Sequence, residues 1–249
     1  MEQLEGRSQT EDIRNPADRQ ASARYVVHRV DPLPYPSLAW EDPAWTLAET
    51  LTISRFHPWR QGSPASDHSP LTQLRFLHDG QALGLLFRVE DRYVLARHTA
   101  YQAATHLDSC VEAFLRPRSD RGYFNLEFNA IGALLLWYID KPRRPDGSFE
   151  SYVEIPENLA RKIEIRASLP QPIHAEVPDA LTWTLSAQVP LALFEAFVGP
   201  LGSLTGAMWR ANFYKCADAC SHPHWGSWAD IGDRLDFHQP DRFGEILFA

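Results

Sequence analysis

Turn signals punctuate this chain about every 8 to 15 residues, and the stretches between them alternate apolar with polar side chains. Pro32, Pro34, Pro36, Asp79-Gly80, Arg121-Gly122, Asp146-Gly147, Pro170, Pro172 and Pro178 mark the breaks. A period of two is the signature of a strand with one covered face, because successive side chains point to opposite sides of the backbone. The spacing leaves little room for long helices and predicts an all-β chain of about ten or eleven strands, a sandwich or barrel. The natural solution is a two-sheet antiparallel β-sandwich, about five strands to a sheet.

The strands can be read with their faces. In 81–89, Leu83, Leu85, Phe87 and Val89 share one side. In 181–189, Leu181, Trp183, Leu185, Ala187 and Val189 point one way and Thr182, Thr184, Ser186 and Gln188 the other. Ile163, Ile165 and Ala167 alternate with Glu164, Arg166 and Ser168, and the apolar run 133–138 has the length of one strand. One short helix is predicted over 191–198, opened by Pro190 and closed by Gly199-Pro200.

Composition narrows the function classes. The chain has 249 residues, 44% hydrophobic and 12% aromatic, enough for a large core with rings left over for a binding surface. Asp and Glu outnumber Lys and Arg 32 to 24, and this net charge of -8 argues against a general nucleic-acid binder. No stretch approaches the roughly 20 apolar residues of a membrane helix, so no membrane partner is expected. Residues 1–22 are polar and charged, which predicts a loose tail ahead of a single domain over 23–249. With no apolar leader visible and three cysteines, the chain reads as cytoplasmic with reduced thiols, or as secreted after loss of a leader.

Three strands carry residues unusual for a plain solvated face. In 123–129, Phe124, Leu126 and Phe128 form the core side, while Tyr123, Asn125, Glu127 and Asn129 form the other. Asn is disfavoured in strands, so two on one face invite a ligand role. Each amide donates and accepts at once, which matches a sugar hydroxyl. In 208–215, Trp209, Ala211 and Phe213 alternate with Met208, Arg210, Asn212 and Tyr214, and Arg210 could pair with Glu127 if the strands share a sheet. The strand 109–115 is apolar on both faces, apart from Glu112. A carboxylate there needs a partner, which could be an Arg, a metal ion or a ligand.

Loop aromatics offer stacking planes for sugar rings. Trp59, Trp225, Trp228 and the pair Phe237-His238 lie outside the strand cores. Capping of the sandwich ends is the alternative use of such rings. Cys216, Asp218, Cys220, His222 and His224 fall within nine residues, but zinc sites usually join two separated ligand pairs, so a polar loop with incidental Cys is the plainer reading. No signature of a serine hydrolase, P-loop, zinc protease or dinucleotide enzyme is present. Asp108, Glu112 and Glu127 could still supply a glycosidase carboxylate pair.

The segments Asp108-Ser-Cys-Val-Glu-Ala-Phe-Leu and Gly122-Tyr-Phe-Asn-Leu-Glu-Phe-Asn-Ala-Ile-Gly resemble those of the family-9 carbohydrate-binding modules. So do Arg210-Ala-Asn-Phe-Tyr-Lys and the ending from His224-Trp to Asp236-Phe-His-Gln-Pro-Asp-Arg-Phe-Gly. The resemblance implies a jelly-roll β-sandwich, non-catalytic sugar binding and structural calcium as a possible cofactor. It matches Glu112 and Asn129 to family positions, sets Glu127 where one branch has an Arg, and puts Phe237 in place of a clamping Trp. The second clamping Trp would fall near His106, so Trp59, Trp225 or Trp228 would have to replace it. Together these readings place a carbohydrate among Glu112, Glu127, Asn129, Arg210, Asn212, Trp225, Phe237 and His238. The alternatives are a glycoside-acting enzyme using Glu112 and Glu127, or a haem-binding sandwich with His106 or His238 as axial ligand and Met208 as a further candidate.

Overall fold

The computed structural model describes residues 23–57, 66–143, 148–169 and 171–249. The predicted tail and Trp59 lie outside the described residues. In chain order the elements are β1 (Arg24–Arg29), β2 (Leu51–Ile53), β3 (Arg55–Phe56), β4 (Leu71–His78), β5 (Ala82–Asp91), β6 (Val94–Ala96), β7 (Cys110–Arg116) and β8 (Tyr123–Asn129). Then follow β9 (Leu134–Arg143), β10 (Phe149–Glu154), α1 (Glu157–Ala160), β11 (Glu164–Ala167), β12 (Ile173–Val177), β13 (Leu181–Pro190), α2 (Leu191–Val198), β14 (Met208–Cys216), β15 (Trp225–Ser227) and β16 (Gly244–Phe248). The chain is mostly β, as the alternation predicts.

The strands join in the order β10-β9-β8-β7-β14-β16-β1-β4-β5-β13-β11, with β15 on β14, β3 on β15 and β2 on β4. Two expectations are corrected. The pairing is not purely antiparallel, because β1 runs parallel to β16 through Arg24–Val27 and parallel to β4 through His28 and Arg29. One strand thus belongs to both arms of a curled, mixed sheet. The described residues also hold more strands and one more helix than expected. Pieces such as β2, β3, β6 and β15 are two or three residues long, and α1 is a single turn, too short for any period to register.

The two arms face each other across one core. Val111, Ala113 and Leu115 of β7, with Phe124, Leu126 and Phe128 of β8, pack in the same cluster as Leu83, Leu85, Phe87 and Val89 of β5. Trp183, Leu185, Ala187 and Val189 of β13 complete it. Each Val, Leu or Phe side chain so buried contributes about 1.5–3 kcal/mol. The helix α2 covers one end with Leu191, Leu193, Phe194 and Val198, and it stops at Gly199, whose φ of +78° an L side chain rarely adopts. The other face of β5 is covered at one end, where Leu33, Trp45 and Ala48 fold over it and bury Leu86, and is open at the other, where Glu90 is exposed.

The far face of the β7–β8–β14 arm is covered in part by the segment 231–243. Ile231 and Phe243 join Phe114, Tyr123, Ile139 and Tyr214 in a second apolar cluster, with Trp137, Phe149, Leu235 and Phe237 at its margin. This arrangement leaves a hollow where the polar members of β7 and β8 meet the rings of β9, β10 and the C-terminal loops. No helix among the described residues is long and apolar enough to cross a membrane.

Candidate functional site

The hollow is a cavity of about 240 Å³. Its floor is Glu112 and Glu127, which stand opposite each other in the β7–β8 ladder. Leu135, Trp137 and Phe149 form one wall, and Cys216, Asp218 and Trp225 another. Leu235, Asp236, Phe237 and His238 close it from the C-terminal loop, with His106 at the margin. The position of every floor residue follows from alternation. Val111, Ala113, Leu126 and Phe128 point into the core, so Glu112 and Glu127 must point away from it.

The polar groups are held rigidly. Asn125 Nδ2 donates to Glu127 Oε1 at 2.8 Å, and Asn125 Oδ1 accepts from the Trp137 amide at 2.8 Å. One amide thus fixes a carboxylate on the floor and the strand carrying a wall ring. His106 Nδ1 lies 3.8 Å from Glu127 Oε2. Cys216 Sγ donates to Glu112 Oε1 at 3.0 Å. Glu112 is only 2% exposed, and its Oε2 has no hydrogen-bond partner among the described residues. Burial first, and then the charge of Glu127, hold Glu112 well above the usual carboxylate range. Both causes favour the neutral acid over the carboxylate. Burial also pushes the Cys110 thiol up to about 12.

The rings are placed with equal care. Phe237 lies flat on Tyr214 at 4.0 Å between centroids and 11° between planes, and Tyr214 Oη donates to the Phe237 carbonyl at 2.8 Å. Trp137 packs edge-on to Phe149 at 5.7 Å and lies over Tyr152 at 4.7 Å. His238 Nδ1 meets Tyr123 Oη at 2.9 Å. Trp225 donates from Nε1 to Asp218 Oδ1 at 2.6 Å and is 4% exposed.

Of the residues singled out in the sequence, Glu112, Glu127, Trp225, Phe237 and His238 line this one cavity. Asn129, Arg210 and Asn212 do not. Asn129 is a brace: Nδ2 donates to Asp108 Oδ2 and the His98 carbonyl, and Oδ1 accepts from the Ala133 amide. Asn212 ties down the 229 loop by donating to the Ala229 carbonyl and accepting from the Ala229 amide. Arg210 pairs with Glu245 at 3.2 Å rather than with Glu127, because β7 separates β14 from β8. The sequence reading missed Trp137, Phe149 and Asp236, and it took Asp218 only as a member of the candidate metal cluster. Trp137 sits in an apolar run that reads as core, and nothing local announces that β9 turns that ring toward a cavity.

The 216–224 cluster does not converge on one point. Cys216 and Asp218 face the cavity, while Cys220 packs with Leu95 and Ala217. His222 stacks on Tyr93 at 3.7 Å. His224 Nε2 meets Lys215 Nζ at 2.7 Å, and Lys215 lies 3.4 Å from Asp91 in a fully buried pair. Two groups of donors among the described residues are close enough for a metal: His68, Asp91 and His224, and Cys110, Glu112 and Cys216. Calcium takes six to eight oxygen ligands, so neither set fits the calcium that the resemblance implies. Lys215 already supplies the positive charge between Asp91 and His224. Met208 is 55% exposed and outside the cavity, so it cannot ligate a haem held there.

The model of carbohydrate-binding family 9 matches residues 59–248. The chain belongs to that family. Three solved structures extend the likeness. A Bacteroides uniformis protein bearing the provisional name of a carbohydrate-binding protein is 25% identical, with a TM-score of 0.78 over 92% of this chain and 100% of its own. Two structures of a family 9 module from Caldicellulosiruptor kristjanssonii are 15% identical. The glucose complex has a TM-score of 0.57 and covers 91% of this chain and 95% of the module. The cellotriose complex has a TM-score of 0.58 and covers 90% and 93%. At that identity they show a shared fold. Among curated protein sequences none matches this family 9 chain significantly.

Proposed function

We propose that this chain is a non-catalytic carbohydrate-binding protein and that the cavity over Glu112 and Glu127 holds the sugar. The carrying observation is the pairing of aromatic walls with a rigid polar floor in one hollow: Trp137, Phe149 and Phe237 around Glu112 and Glu127. A sugar ring needs both, flat apolar surface for its C–H faces and fixed acceptors for its hydroxyls. The upward shift of Glu112 favours its neutral acid, whose O–H donates where a carboxylate only accepts. Glucose and cellotriose in the Caldicellulosiruptor module support the ligand class. In this reading the two arms of the sheet are the two layers of a jelly-roll β-sandwich. Isothermal titration of the full chain with glucose, cellotriose and a panel of oligosaccharides tests the proposal, with Phe237→Ala as the control for the site.

One observation favours a second reading, hydrolysis of glycosides. Glu112 and Glu127 face each other across the β7–β8 ladder on the cavity floor, and a glycosidase works with a pair of carboxyl groups flanking the scissile bond. Turnover of aryl glycosides that Glu127→Gln abolishes would establish that activity in place of plain binding.

A further inference from the structure

Three metal-seeking side chains meet on one face of the sheet. Cys110 and Glu112 stand two apart on β7, so both turn away from the core that takes Val111 and Ala113. Cys216 is the direct partner of Cys110 in the β7–β14 ladder, and the two pack together against Trp225. The two Sγ atoms and a Glu112 oxygen all lie within 4.8 Å of one another, and Cys216 Sγ is 3.0 Å from Glu112 Oε1. Both cysteines are free thiols, and their backbone contacts, to the Val111 and His106 carbonyls, are long at 3.7 Å. The other donor set, His68, Asp91 and His224, differs in kind. There the Lys215 ammonium stands 2.7 Å from His224 Nε2 and 3.4 Å from Asp91, and it supplies the charge a metal would bring.

We propose that Cys110, Cys216 and Glu112 bind a zinc ion, with a fourth coordination position open to the cavity. Zinc holds thiolate sulfur at about 2.3 Å and carboxylate oxygen at about 2.0–2.2 Å, so neighbouring ligands on its tetrahedron lie about 3.4–3.8 Å apart. Small side-chain rotations bring the three donors onto that spacing while the strands stay in place. Thiolates select zinc over the hard, oxygen-seeking calcium and magnesium. Coordination exchanges protons for the ion: each thiol releases its proton to solvent, and Glu112 binds as the carboxylate. Two thiolates, one carboxylate and a divalent ion sum to a single negative charge, the same as in a structural zinc site of three cysteines and one histidine. Glu112 and Cys216 line the cavity and Cys110 is buried behind them. The ion therefore enters from the cavity, and its fourth ligand is water or a group held there.

The full chain, reduced and stripped of metal, is titrated with zinc by calorimetry and with cobalt by absorbance. One ion should bind per chain, and cobalt should show thiolate-to-metal charge transfer in the near ultraviolet with the visible bands of a tetrahedral centre. Excess calcium should leave that spectrum unchanged. A Cys110→Ser, Cys216→Ser double variant should lose the charge-transfer band and bind zinc about a hundredfold or more weakly. Glu112→Gln should keep the band and bind zinc about tenfold more weakly. Cys220→Ser alters the thiol that packs with Leu95 and Ala217 and should change neither measurement. Should the double variant fail to fold, the cobalt spectrum of the wild-type chain still decides. No zinc binding, cobalt bound without a thiolate band, displacement of cobalt by calcium, or a folded double variant that binds zinc as tightly as wild type overturns the inference. Sugar titration of the metal-free chain tests the cavity reading separately.

Discussion

Glu112 and Glu127 are direct cross-strand partners, one on β7 and one on β8, on the side of the sheet turned away from the core. Two carboxyls so placed cannot both ionise without cost, and opposed like charges destabilise a strand pair. Burial and the Glu127 charge hold Glu112 above the usual carboxylate range, which eases that repulsion, and Cys216 donates to one of its oxygens.

This pair has a pH signature. Glu112 titrates above its ordinary value in the folded chain and near 4.5 when unfolded. Between those values the folded state binds the extra proton, so stability falls as pH rises through the window. Glu112→Gln removes that dependence. Thermal melts from about pH 5 to pH 9 should show a shallower decline for the variant than for wild type. Parallel curves would mean that Glu112 is ionised throughout.

The buried ionic cluster predicts the opposite sign. Burial acts to raise Asp91, but the charge of Lys215 and the hydrogen bond from His68 outweigh it and hold the carboxyl well below its usual range. Its contribution is present above the unfolded value and is lost as pH falls. Asp91→Asn leaves the Lys215 ammonium buried without its counter-ion. Removing one partner of a buried pair typically costs about 3–5 kcal/mol, which urea denaturation would read as a large drop in midpoint.

The two loop rings flanking the cavity should behave differently. Trp225 is buried and bonded to Asp218, so Trp225→Ala should cost about 3–5 kcal/mol of stability. Phe237 is half-buried and lies flat on Tyr214. Phe237→Ala should lower the melting temperature much less, yet weaken sugar binding about tenfold to a hundredfold. Thermal melts beside titration calorimetry separate the two effects. Equal melting losses would make both rings structural.

Gly122 opens β8 against the backbone of β9. A Cβ there would lie 2.1 Å from the Ile139 carbonyl oxygen and 2.7 Å from the Asp140 Cα. Neither is a flexible side-chain end that can swing aside. Gly122→Ala should cost about 1–3 kcal/mol or more, the range of an overpacked core, visible as a lowered urea midpoint.

Much of this fold is legible in the residues. The faces of 83–89 and 181–189 and the bounds of α2 follow from alternation and from Pro190 and Gly199, because those signals are local. The double role of β1, parallel to both β16 and β4, is not, since parallel partners distant in sequence leave no local mark. The site divides the same way. Alternation turns Glu112 and Glu127 outward, but it cannot tell them from Asn129 and Asn212, which share that polarity and end as internal braces. Trp137 and Asp218 reach the cavity through the tertiary path of β9 and the 216–225 loop. Trp225 reads as a loop ring, and only its pairing through β15 shows it to be buried.

The central claim is that the cavity of Glu112, Glu127, Trp137 and Phe237 binds a sugar. The most direct measurement is titration calorimetry of the full chain with glucose, cellotriose and a panel of oligosaccharides, beside a Glu127→Gln, Phe237→Ala double variant shown by thermal melting to be folded. The account predicts saturable binding of at least one of these sugars by wild type and about a hundredfold or greater loss in the variant. Binding that survives undiminished in the folded variant, or no binding of any of them by wild type, would contradict it.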